Sequence, residues 1–454
     1  MRPRRPIRGS PARLQRGRTW RYDTSMAAAT RKLPSLGTVF LTGATGFVGG
    51  AVLSRLLLEG AAERVFALVR ARDAEHAERR GREVLFKLFG EDRDRLRSAA
   101  QRMRWVRGEL GREGLGLEAT DRDAILGSVD TVIHAAASTR FDLPEPEARA
   151  INFEGARRVL ELARQIARGG RLRRLAHVST AYVAGRRSGR IHEHELPGPE
   201  GPFSNTYEKT KAAAERLLRS HMGELPITVL RPSIIVGDSR TGRTYNFNVL
   251  YYPIKLLHRG LLLWCPGRRN TVLDIVPIDY VSEAICRLAA DPEAAGGTFH
   301  LCAGDDAIPL RSFVDRIRDY YNEQRTQTGH DPLPRVAIIG RWRWRLILWR
   351  ARRRLAGRAR EQLEAFNLYL PYLLTEKIFD TTEARRRLGD ALPYPPIASY
   401  LRKVAEYAVT REWGRRVSWD PSLVHSGLFR DEELGTIVEG AGDEGEQAAV
   451  ERDA

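Results

Sequence analysis

A tyrosine and a lysine four residues apart, Tyr207 and Lys211, form the side-chain pair with the clearest chemical meaning in the sequence. Residues at positions i and i+4 of an α-helix lie on the same face. A tyrosine hydroxyl can protonate a carbonyl oxygen during reduction, and a nearby lysine cation lowers the tyrosine pKa. The spacing therefore predicts Tyr207 as a proton donor and Lys211 as its support. Tyr251 and Lys255 share the spacing, but Pro253 between them disfavours a helix interior, so we expect that pair to be incidental.

Two hydroxyl side chains follow an apolar run at residues 175–178. Ligands of open parallel sheets bind at the carboxyl ends of the strands. We expect Thr180 to polarise a carbonyl oxygen by donating a hydrogen bond to it. For Ser179 two interpretations stay open, a contact with a cofactor and a hydroxyl that caps the turn.

The segment TGATGFVG at residues 42–49 follows the first apolar run and precedes an amphipathic stretch. Small residues are needed in such a turn because the chain bends sharply, a pyrophosphate approaches the backbone, and the helix packs close to the sheet. The helix N-terminus then offers N–H groups to the phosphates. This pattern predicts a dinucleotide-binding turn. Its contact residues are Gly43, Thr45, Gly46, Phe47, Val48 and Gly49.

Arg70 follows the second apolar run, where the two nicotinamide dinucleotides are distinguished. An acidic residue there would bind the ribose 2′-hydroxyl of NAD, whereas an arginine accommodates the 2′-phosphate of NADP. Arg70, helped by Arg80, therefore favours NADPH as the cofactor. The other predicted cofactor contacts follow the third and fourth strands and are Glu109, Leu110, Ala135 and Ala136.

Short apolar runs and helical patterns alternate along the first half of the chain. The predicted strands are Val39–Leu41, Val65–Val69, Trp105–Val106, Thr131–Ile133, Leu175–Val178 and Ile227–Leu230. The predicted helices between them include Val48–Glu59, Ile151–Arg168 and Tyr207–His221. This order predicts an α/β fold with a Rossmann-type doubly wound parallel sheet and a smaller, mainly helical C-terminal substrate-binding region.

Composition divides the chain into four parts. Residues 1–35 form a basic extension that we expect to be disordered, and Met26 within it is the favoured start, with a cleaved leader or a transit peptide as alternatives. Residues 36–300 form the NADP-binding domain, with a substrate-region insertion at about 237–270. Residues 301–425 form a C-terminal substrate-binding or lid region, and residues 426–454 an acidic disordered tail.

The 454 residues are 42% hydrophobic and 29% charged, which is enough to bury a large core. The net charge of +18 is concentrated at residues 1–35 and 341–360, and no groove-reading motif accompanies it, so nucleic acid is not an expected partner. The three cysteines have no metal-like spacing, and we predict no metal site. Without a membrane-length apolar run or a secretory signal, the sequence predicts a cytoplasmic protein.

Several segments together resemble the extended short-chain dehydrogenase/reductases, in particular the branch of fatty acyl-CoA reductases and thioester reductases. Besides the glycine-rich turn, they are VIHAAASTRFD (132–142), HVSTAYVAG (177–185), NTYEKTK (205–211), LRPSIIVG (230–237) and DIVPIDY (274–280). They follow the family's order from residue 38 to about 300. The segment FDTTEARRRLG (379–389) is similar to the C-terminal signature of extended members.

The resemblance implies NADPH-dependent reduction of a fatty acyl thioester, acyl-CoA or carrier-bound, to an aldehyde and in some members on to the alcohol. Thr180, Tyr207 and Lys211 match the family's catalytic positions. Pro232 and Ser233 match a loop near the nicotinamide, and the cofactor positions include Ser179, Tyr207 and Lys211. Chain length, acyl carrier, end product and oligomeric state stay open.

Two other functions are compatible with parts of the pattern. An extended reductase or epimerase acting on a nucleotide sugar or hydroxysteroid would share the fold, but epimerases usually prefer an acid where Arg70 stands. A dinucleotide-binding regulator without turnover would be expected to lack part of the set Thr180, Tyr207 and Lys211, all of which is present.

Residues 341–360 read RWRWRLILWRARRRLAGRAR. The residues at helical spacing are Trp344, Ile347, Leu348, Ala351, Leu355 and Ala359. Three interpretations stay open: a lid helix over the substrate site, an interfacial helix in peripheral contact with an anionic membrane, and a docking patch for CoA phosphates or an acidic carrier protein.

Overall fold

Strands and helices alternate regularly in the first half of the computed structural model, which describes residues 32–90, 92–247, 250–268, 270–354, 357, 360, 367 and 370–414. The strands are β1 Thr38–Thr42, β2 Arg64–Val69, β3 Met103–Arg107, β4 Thr131–His134, β5 Arg174–Val178, β6 Gly189–Ile191, β7 Ile227–Pro232, β8 Ile234–Val236, β9 Trp264–Pro266, β10 Val272–Leu273, β11 Ile275–Pro277, β12 Thr298–Leu301, β13 Ile308–Pro309, β14 Ala337–Ile339 and β15 Lys377–Phe379. The α-helices are α1 Phe47–Leu58, α2 Ala74–Phe89, α3 Arg93–Arg102, α4 Ala119–Ser128, α5 Glu145–Arg149, α6 Gly155–Arg168, α7 Thr206–Arg219, α8 Tyr251–His258, α9 Ile278–Ala290, α10 Leu310–Gln327, α11 Arg341–Arg354, α12 Leu370–Leu374, α13 Thr382–Leu388 and α14 Ile397–Thr410.

The central sheet has seven strands in the order β12-β7-β5-β4-β1-β2-β3. All neighbouring strands are parallel. The strand order reverses direction at β1 and β4, which is the switch point where doubly wound sheets bind ligands. The predicted Rossmann-type sheet is confirmed, and each of the six predicted strands lies within an observed one.

Consecutive apolar residues form these strands because the sheet is buried on both faces. In β1, Val39 and Leu41 pack into one hydrophobic cluster and Phe40 into the cluster on the other face. This alternation follows from the two-residue period of a strand. An uninterrupted apolar run in the sequence is therefore the signature of a central strand here.

Two helices differ from the sequence-based expectation. The predicted helix from Ile151 begins in a π-helical turn, Ala150–Glu154, and becomes α6 at Gly155. The side chain of Asn152 in this turn bonds the backbone of Ser138 at 2.8 and 3.1 Å. Pro253, which was expected to disfavour a regular helix, lies in the first turn of α8. Backbone N–H groups in a first turn have no partner within the helix, so the missing N–H of proline costs no hydrogen bond there.

A second hydrophobic core joins the region around residues 237–270 to the C-terminal part of the chain. Ile254 of α8 packs there with Phe313 and Ile317 of α10 and with Val404 of α14. The short parallel pair β9 with β14 connects the two parts of this region, and the pair β6 with β15 ties it to the rest of the protein. The C-terminal region is mainly helical, as the sequence predicts.

The folded part of the chain begins slightly earlier than expected. Leu33 is buried in the main core, so the predicted boundary at residue 35 is too late by a few residues. The remainder of the basic extension and the acidic tail at 426–454 lie outside the described residues. Within the described part of the chain, no helix is both long and apolar enough to cross a bilayer.

Candidate active site

The amino end of α7 positions the predicted proton donor. Asn205 caps the helix by accepting a hydrogen bond from the Glu208 N–H at 2.9 Å, and the Glu208 carboxylate accepts one from the Ser204 N–H at 2.7 Å. These reciprocal bonds hold the first turn, which contains Tyr207. The sequence NTYEKTK thus carries its own start signal for the helix that presents Tyr207 and Lys211.

Tyr207, Lys211 and Thr180 converge at the carboxyl end of β5. The Lys211 ammonium donates to the Val178 carbonyl at 2.7 Å, which fixes α7 across the end of this strand. The Thr180 hydroxyl hydrogen-bonds Tyr207 and lies 3.4 Å from the Pro232 carbonyl oxygen. All three side chains line one cavity of about 600 Å³. The predicted set is therefore assembled in space.

The pKa of Tyr207 is shifted in the direction opposite to expectation. Burial raises the pKa of Tyr207 to about 12, against a smaller lowering by the hydrogen bond with Thr180. Lys211 does not lower it, because burial lowers the pKa of Lys211 to about 8 and its ammonium is lost before the phenol ionises. The expected lowering is thus wrong for the ligand-free protein. A phenol that stays protonated at neutral pH is suited to donate a proton or hydrogen bond.

Lys211 is buried, and burial lowers its pKa to about 8, while the Glu215 carboxylate acts in the opposite direction. Two buried histidines on neighbouring strands, His134 and His177, have ring centroids 5.2 Å apart. The pKa of His134 falls to about 3 because of burial and the Lys211 charge, and that of His177 falls for the same reasons. Both imidazoles are neutral at pH 7, so Lys211 is the cation of this group.

The Ser179 hydroxyl donates to the Glu215 carboxylate at 2.7 Å. Glu215 is also ion-paired with the buried guanidinium of Arg231. Ser179 borders the cavity, but its hydroxyl is engaged in this buried network. In this structure the hydroxyl therefore stabilises the carboxylate behind the site, and the predicted cofactor contact of Ser179 stays a prediction.

The glycines of the turn are required by close approaches. Gly43 has φ +81°, and a Cβ there would lie 2.7 Å from the backbone nitrogen of Ala136. A Cβ on Gly49 would lie 2.1 Å from the Gly43 carbonyl oxygen, so α1 touches the turn. Gly46 differs, since its nearest contact would be 3.3 Å away and its missing side chain leaves space in the cavity.

The amino end of α1 fits a dinucleotide pyrophosphate. Gly46 caps the helix with no side-chain hydrogen bond, and the first turn of α1 contains no acidic residue. Its N–H groups therefore face the cleft, and the helix dipole is not offset by a carboxylate. Phe47 and Val48 line the cavity, Thr45 is exposed beside it, and their predicted cofactor contacts stay predictions.

Two arginines stand together at the end of β2. Arg70 is exposed, and the Arg80 guanidinium donates to the Arg70 carbonyl at 2.7 Å. The nearest acid in sequence, Asp73, caps α2 by accepting from the His76 N–H at 2.7 Å. This position is therefore cationic, which suits a 2′-phosphate better than a free hydroxyl.

The remaining predicted cofactor residues divide between the two ends of the cleft. Ala135, Pro232 and Ser233 line the cavity, and Ala136 contacts the glycine-rich turn. Glu109 and Leu110 follow β3, away from the cavity lining. Glu109 pairs with Arg112 at 3.2 Å. A separate groove of about 870 Å³ between α1, α3 and α9 contains none of the predicted site residues.

Sequence reasoning missed an aromatic wall of the cavity. Tyr182 and Tyr372 meet edge to face with ring centroids 4.6 Å apart, and Phe141 lies 5.7 Å from Tyr207 and 5.5 Å from Tyr372. Tyr182 and Phe141 lie inside segments that carry the family resemblance, so the sequence did contain a pattern that could have indicated them as site residues. Tyr372 of α12 lies in a local sequence with no distinguishing pattern.

Tyr372 is held by buried polar groups behind Tyr207. Its hydroxyl accepts from the Asn205 amide at 2.9 Å and lies near the buried Glu208 carboxylate. Burial raises the pKa of Tyr372, and the Glu208 charge raises it further. Burial raises the pKa of Glu208 and lowers that of Lys377, whose ammonium lies 5.7 Å from the Tyr182 ring centroid. The C-terminal region is thus bonded directly to the helix that carries the proton donor.

Residues 41–285, more than half of the chain, match the family described as Male sterility protein, a family of NAD-binding domains. The chain belongs to this family. Fatty acyl-CoA reductase wat of Drosophila melanogaster is 29% identical over 282 residues, 56% of this chain and 54% of that protein. Nonribosomal peptide synthetase asaC of Aspergillus flavus is 30% identical over 293 residues, 61% of this chain and 27% of that protein.

Among solved structures, the terminal R domain from the myxalamid PKS-NRPS biosynthetic pathway superposes with a TM-score of 0.69. It is 27% identical, and the match covers 84% of this chain and 92% of that domain. The male sterility protein family and these relatives confirm the predicted resemblance to the extended short-chain dehydrogenase/reductases and their acyl-CoA and thioester reductase branch. The chain spans about half the length of the fly reductase.

Proposed function

We propose that this protein reduces an acyl thioester to an aldehyde with NADPH. The observation that carries the proposal is the meeting of Tyr207, Thr180 and Lys211 in one cavity, beside a glycine-rich turn that fits a pyrophosphate. The similarity to a fatty acyl-CoA reductase and to a synthetase R domain supports a thioester substrate.

The reduced nicotinamide, when bound, supplies the hydride for the thioester carbonyl carbon. The Tyr207 hydroxyl, with its pKa raised to about 12, is protonated and hydrogen-bonds the carbonyl oxygen as negative charge develops there. The Thr180 hydroxyl, adjacent to Tyr207, gives the same oxygen a second donor. Proton transfer from Tyr207 yields a hemithioacetal, whose carbon–sulfur bond then breaks to release aldehyde and thiol.

NADPH is favoured over NADH by the charges at the end of β2. Arg70 and Arg80 bring two guanidinium groups together, and Asp73 is occupied as a helix cap. A 2′-phosphate would be met by cations there. We therefore expect Arg70→Ala to weaken NADPH binding by about tenfold or more while NADH binding changes little. Arg93→Ala, an exposed arginine on α3, is the control.

The acyl group would be long and delivered on CoA or on a carrier protein. Phe141, Tyr182, Tyr372 and Ile235 give the cavity an aromatic and aliphatic lining beyond the three polar groups. Such a lining binds an apolar chain and excludes water from the reacting carbon. Reduction of the aldehyde to the alcohol would use the same groups. The cytoplasmic location predicted from the sequence stays a prediction.

The experiment is acyl-CoA-dependent NADPH oxidation by Tyr207→Phe. This change removes only the hydroxyl, so we expect turnover to fall at least about 100-fold while the dissociation constant of NADPH changes less than about twofold. Tyr320→Phe, the same chemical change on α10 outside the cavity lining, should retain activity. Full turnover in Tyr207→Phe would exclude this tyrosine as the proton donor.

A further inference from the structure

Helix α11 has one face packed against the protein. It contains seven arginines and no acidic residue. Trp344 and Leu348 are buried in a small cluster with Ile339 and with Leu373 of α12. Their spacing confirms the apolar face predicted from the sequence, while Leu355 and Ala359 of that pattern lie outside the described residues. This face anchors α11 to the C-terminal region.

A second apolar stripe lies on the outward face of the same helix. Trp342, Leu346 and Trp349 are 68%, 42% and 49% exposed. They stand at positions i, i+4 and i+7, so they form one line along the helix. At about 100° per residue, this line is roughly half a turn away from Trp344 and Leu348. Packing of α11 against the protein therefore leaves two tryptophans and a leucine in solvent.

Exposed arginines border the outward stripe on both sides. On the helical wheel, one group stands about a quarter turn to one side and the other about a quarter turn to the opposite side. The first group is Arg343, Arg350 and Arg354, and the second is Arg341, Arg345 and Arg352. The Arg353 guanidinium lies within the stripe, 3.7 Å from the Trp349 ring centroid. Cationic groups thus follow the whole length of the apolar line.

A segment that pairs with the strand before α11 carries further exposed apolar residues. Leu261, Leu263 and Trp264 are exposed by 42% to 64%. Trp264 begins β9, which pairs with β14, and α11 begins two residues after β14 ends. Within the described part of the chain, seven large apolar side chains are exposed, and all except Tyr245 belong to these two adjoining segments. Such a concentration is typical of an interaction surface.

We propose that this surface, the outward stripe of α11 with Leu261, Leu263 and Trp264, binds to an anionic lipid bilayer. A helix lying in the membrane plane places apolar side chains at the acyl boundary, tryptophans at the headgroup level and arginines against lipid phosphates. The arrangement here has all three features. Arginines on both borders match a uniformly anionic plane, whereas a localised acidic patch on a protein would match one border.

Contact between α11 and a membrane would serve the proposed reduction of long acyl thioesters. The buried face of α11 packs on Leu370 and Leu373, and these residues flank Tyr372 in the cavity wall. Membrane binding would therefore bring the substrate cavity near the layer in which long acyl chains partition. This consequence depends on the proposed thioester reduction, whereas membrane binding itself does not.

The test is flotation of the full-length protein with vesicles of phosphatidylcholine, with and without phosphatidylglycerol. We expect the wild type to float with the mixed vesicles only. The triple variant Trp342→Ser, Leu346→Ser, Trp349→Ser should bind at least about tenfold more weakly. Its thermal unfolding midpoint should equal that of the wild type, which excludes misfolding by a measurement that does not depend on the proposed function.

Charge variants separate specific contact from general attraction. Arg343→Gln with Arg345→Gln, one from each border of the stripe, should weaken binding to the mixed vesicles about tenfold or more. Arg93→Gln with Arg168→Gln removes the same charge from exposed sites on α3 and α6 and should leave binding unchanged. An equal loss in both pairs would overturn the proposal.

Three other results would also overturn it. One is equal flotation with neutral vesicles, and another is unchanged flotation of the triple serine variant. The third is that the wild-type protein does not bind anionic vesicles but binds an acidic acyl carrier protein through the outward stripe of α11. In that case the surface docks a protein instead of a membrane.

Discussion

At the scale of single residues, the geometry assigns different tasks to groups that look equivalent in the sequence. Tyr207 is protonated at neutral pH because burial raises its pKa to about 12. Thr180 and Ser179 are adjacent, yet the Thr180 hydroxyl meets Tyr207 and the Ser179 hydroxyl meets Glu215. Successive side chains of an extended segment point to opposite sides, as these two do at the end of β5. Only one of the two hydroxyls can therefore serve the reacting carbonyl.

The charge of Lys211 should make NADPH binding depend on pH. Burial lowers its pKa from 10.5 to about 8, so the ammonium is present below pH 8 and is lost as the pH rises through that value. If the cation holds the nicotinamide ribose, the dissociation constant of NADPH should rise by up to about tenfold per pH unit above 8. Titration calorimetry between neutral and alkaline pH measures this.

Lys211→Met is the matched control for the pH profile. Its affinity for NADPH should be low and nearly independent of pH, because the titrating group is gone. A wild-type dissociation constant that stays flat across pH 8 would show that the Lys211 charge does not contribute to cofactor binding.

At the scale of elements, the turn between β1 and α1 combines a structural and a binding requirement. A Cβ on Gly46 meets its nearest atom at 3.3 Å, whereas one on Gly49 meets a backbone oxygen at 2.1 Å. We expect Gly46→Ala to lose less than about 1 kcal/mol of stability but to weaken NADPH binding about tenfold or more, since its methyl group occupies the cleft.

Two glycine variants calibrate that result. Gly49→Ala should weaken NADPH binding and also destabilise the protein, because the helix must move away from the turn. Gly127→Ala, at an open position of α4, should leave NADPH binding unchanged and raise stability by about 1 kcal/mol or less. Denaturant unfolding and NADPH titration of all three variants give the comparison, and normal NADPH affinity in Gly46→Ala would contradict the placement of the pyrophosphate.

The contact between α7 and β7 depends on a buried ion pair. Glu215 accepts from Ser179 and pairs with Arg231, and both members of the pair are buried. Glu215→Ala should cost about 3–5 kcal/mol, because it leaves a buried guanidinium without its partner. Glu224→Ala breaks an exposed pair with Arg164 and should cost far less stability than Glu215→Ala. Equal losses in urea unfolding would contradict this difference.

Most elements of the sheet could be predicted because their signals are local. Val39–Leu41 is apolar throughout, as a strand buried on both faces requires. The cap at Asn205 and the four-residue spacing of Tyr207 and Lys211 are likewise contained in one short segment. The pKa of Tyr207 could not be predicted, since it depends mainly on how deeply the folded protein buries the phenol.

At the scale of the whole molecule, two cores supply two halves of the site. The sheet and its flanking helices carry the glycine-rich turn, Thr180 and Tyr207, and the C-terminal region contributes Tyr372. Tyr372 is 167 residues from Asn205, to which its hydroxyl is bonded. A short sequence pattern cannot indicate a contact between residues so far apart in the chain. Tyr372 could therefore not be predicted as part of the aromatic wall.

This division predicts that acyl and cofactor binding can be changed separately. Tyr372→Ala removes a ring that packs on Phe141 and Tyr182, so KM for a long-chain thioester should rise about tenfold or more. The dissociation constant of NADPH should change less than about twofold. Steady-state kinetics and cofactor titration measure the two effects, and a parallel loss of both would contradict two independent halves.

The most direct test of thioester reduction is the ratio of NADPH consumed to free thiol released, measured with wild-type protein and a long-chain acyl-CoA. We predict thiol release that requires NADPH, at one NADPH per thiol if the aldehyde is the product and two if it is reduced to the alcohol. NADPH oxidation without thiol release, or thiol release that continues without NADPH, would contradict the account. So would inactivity towards both acyl-CoA and carrier-bound thioesters in protein that binds NADPH.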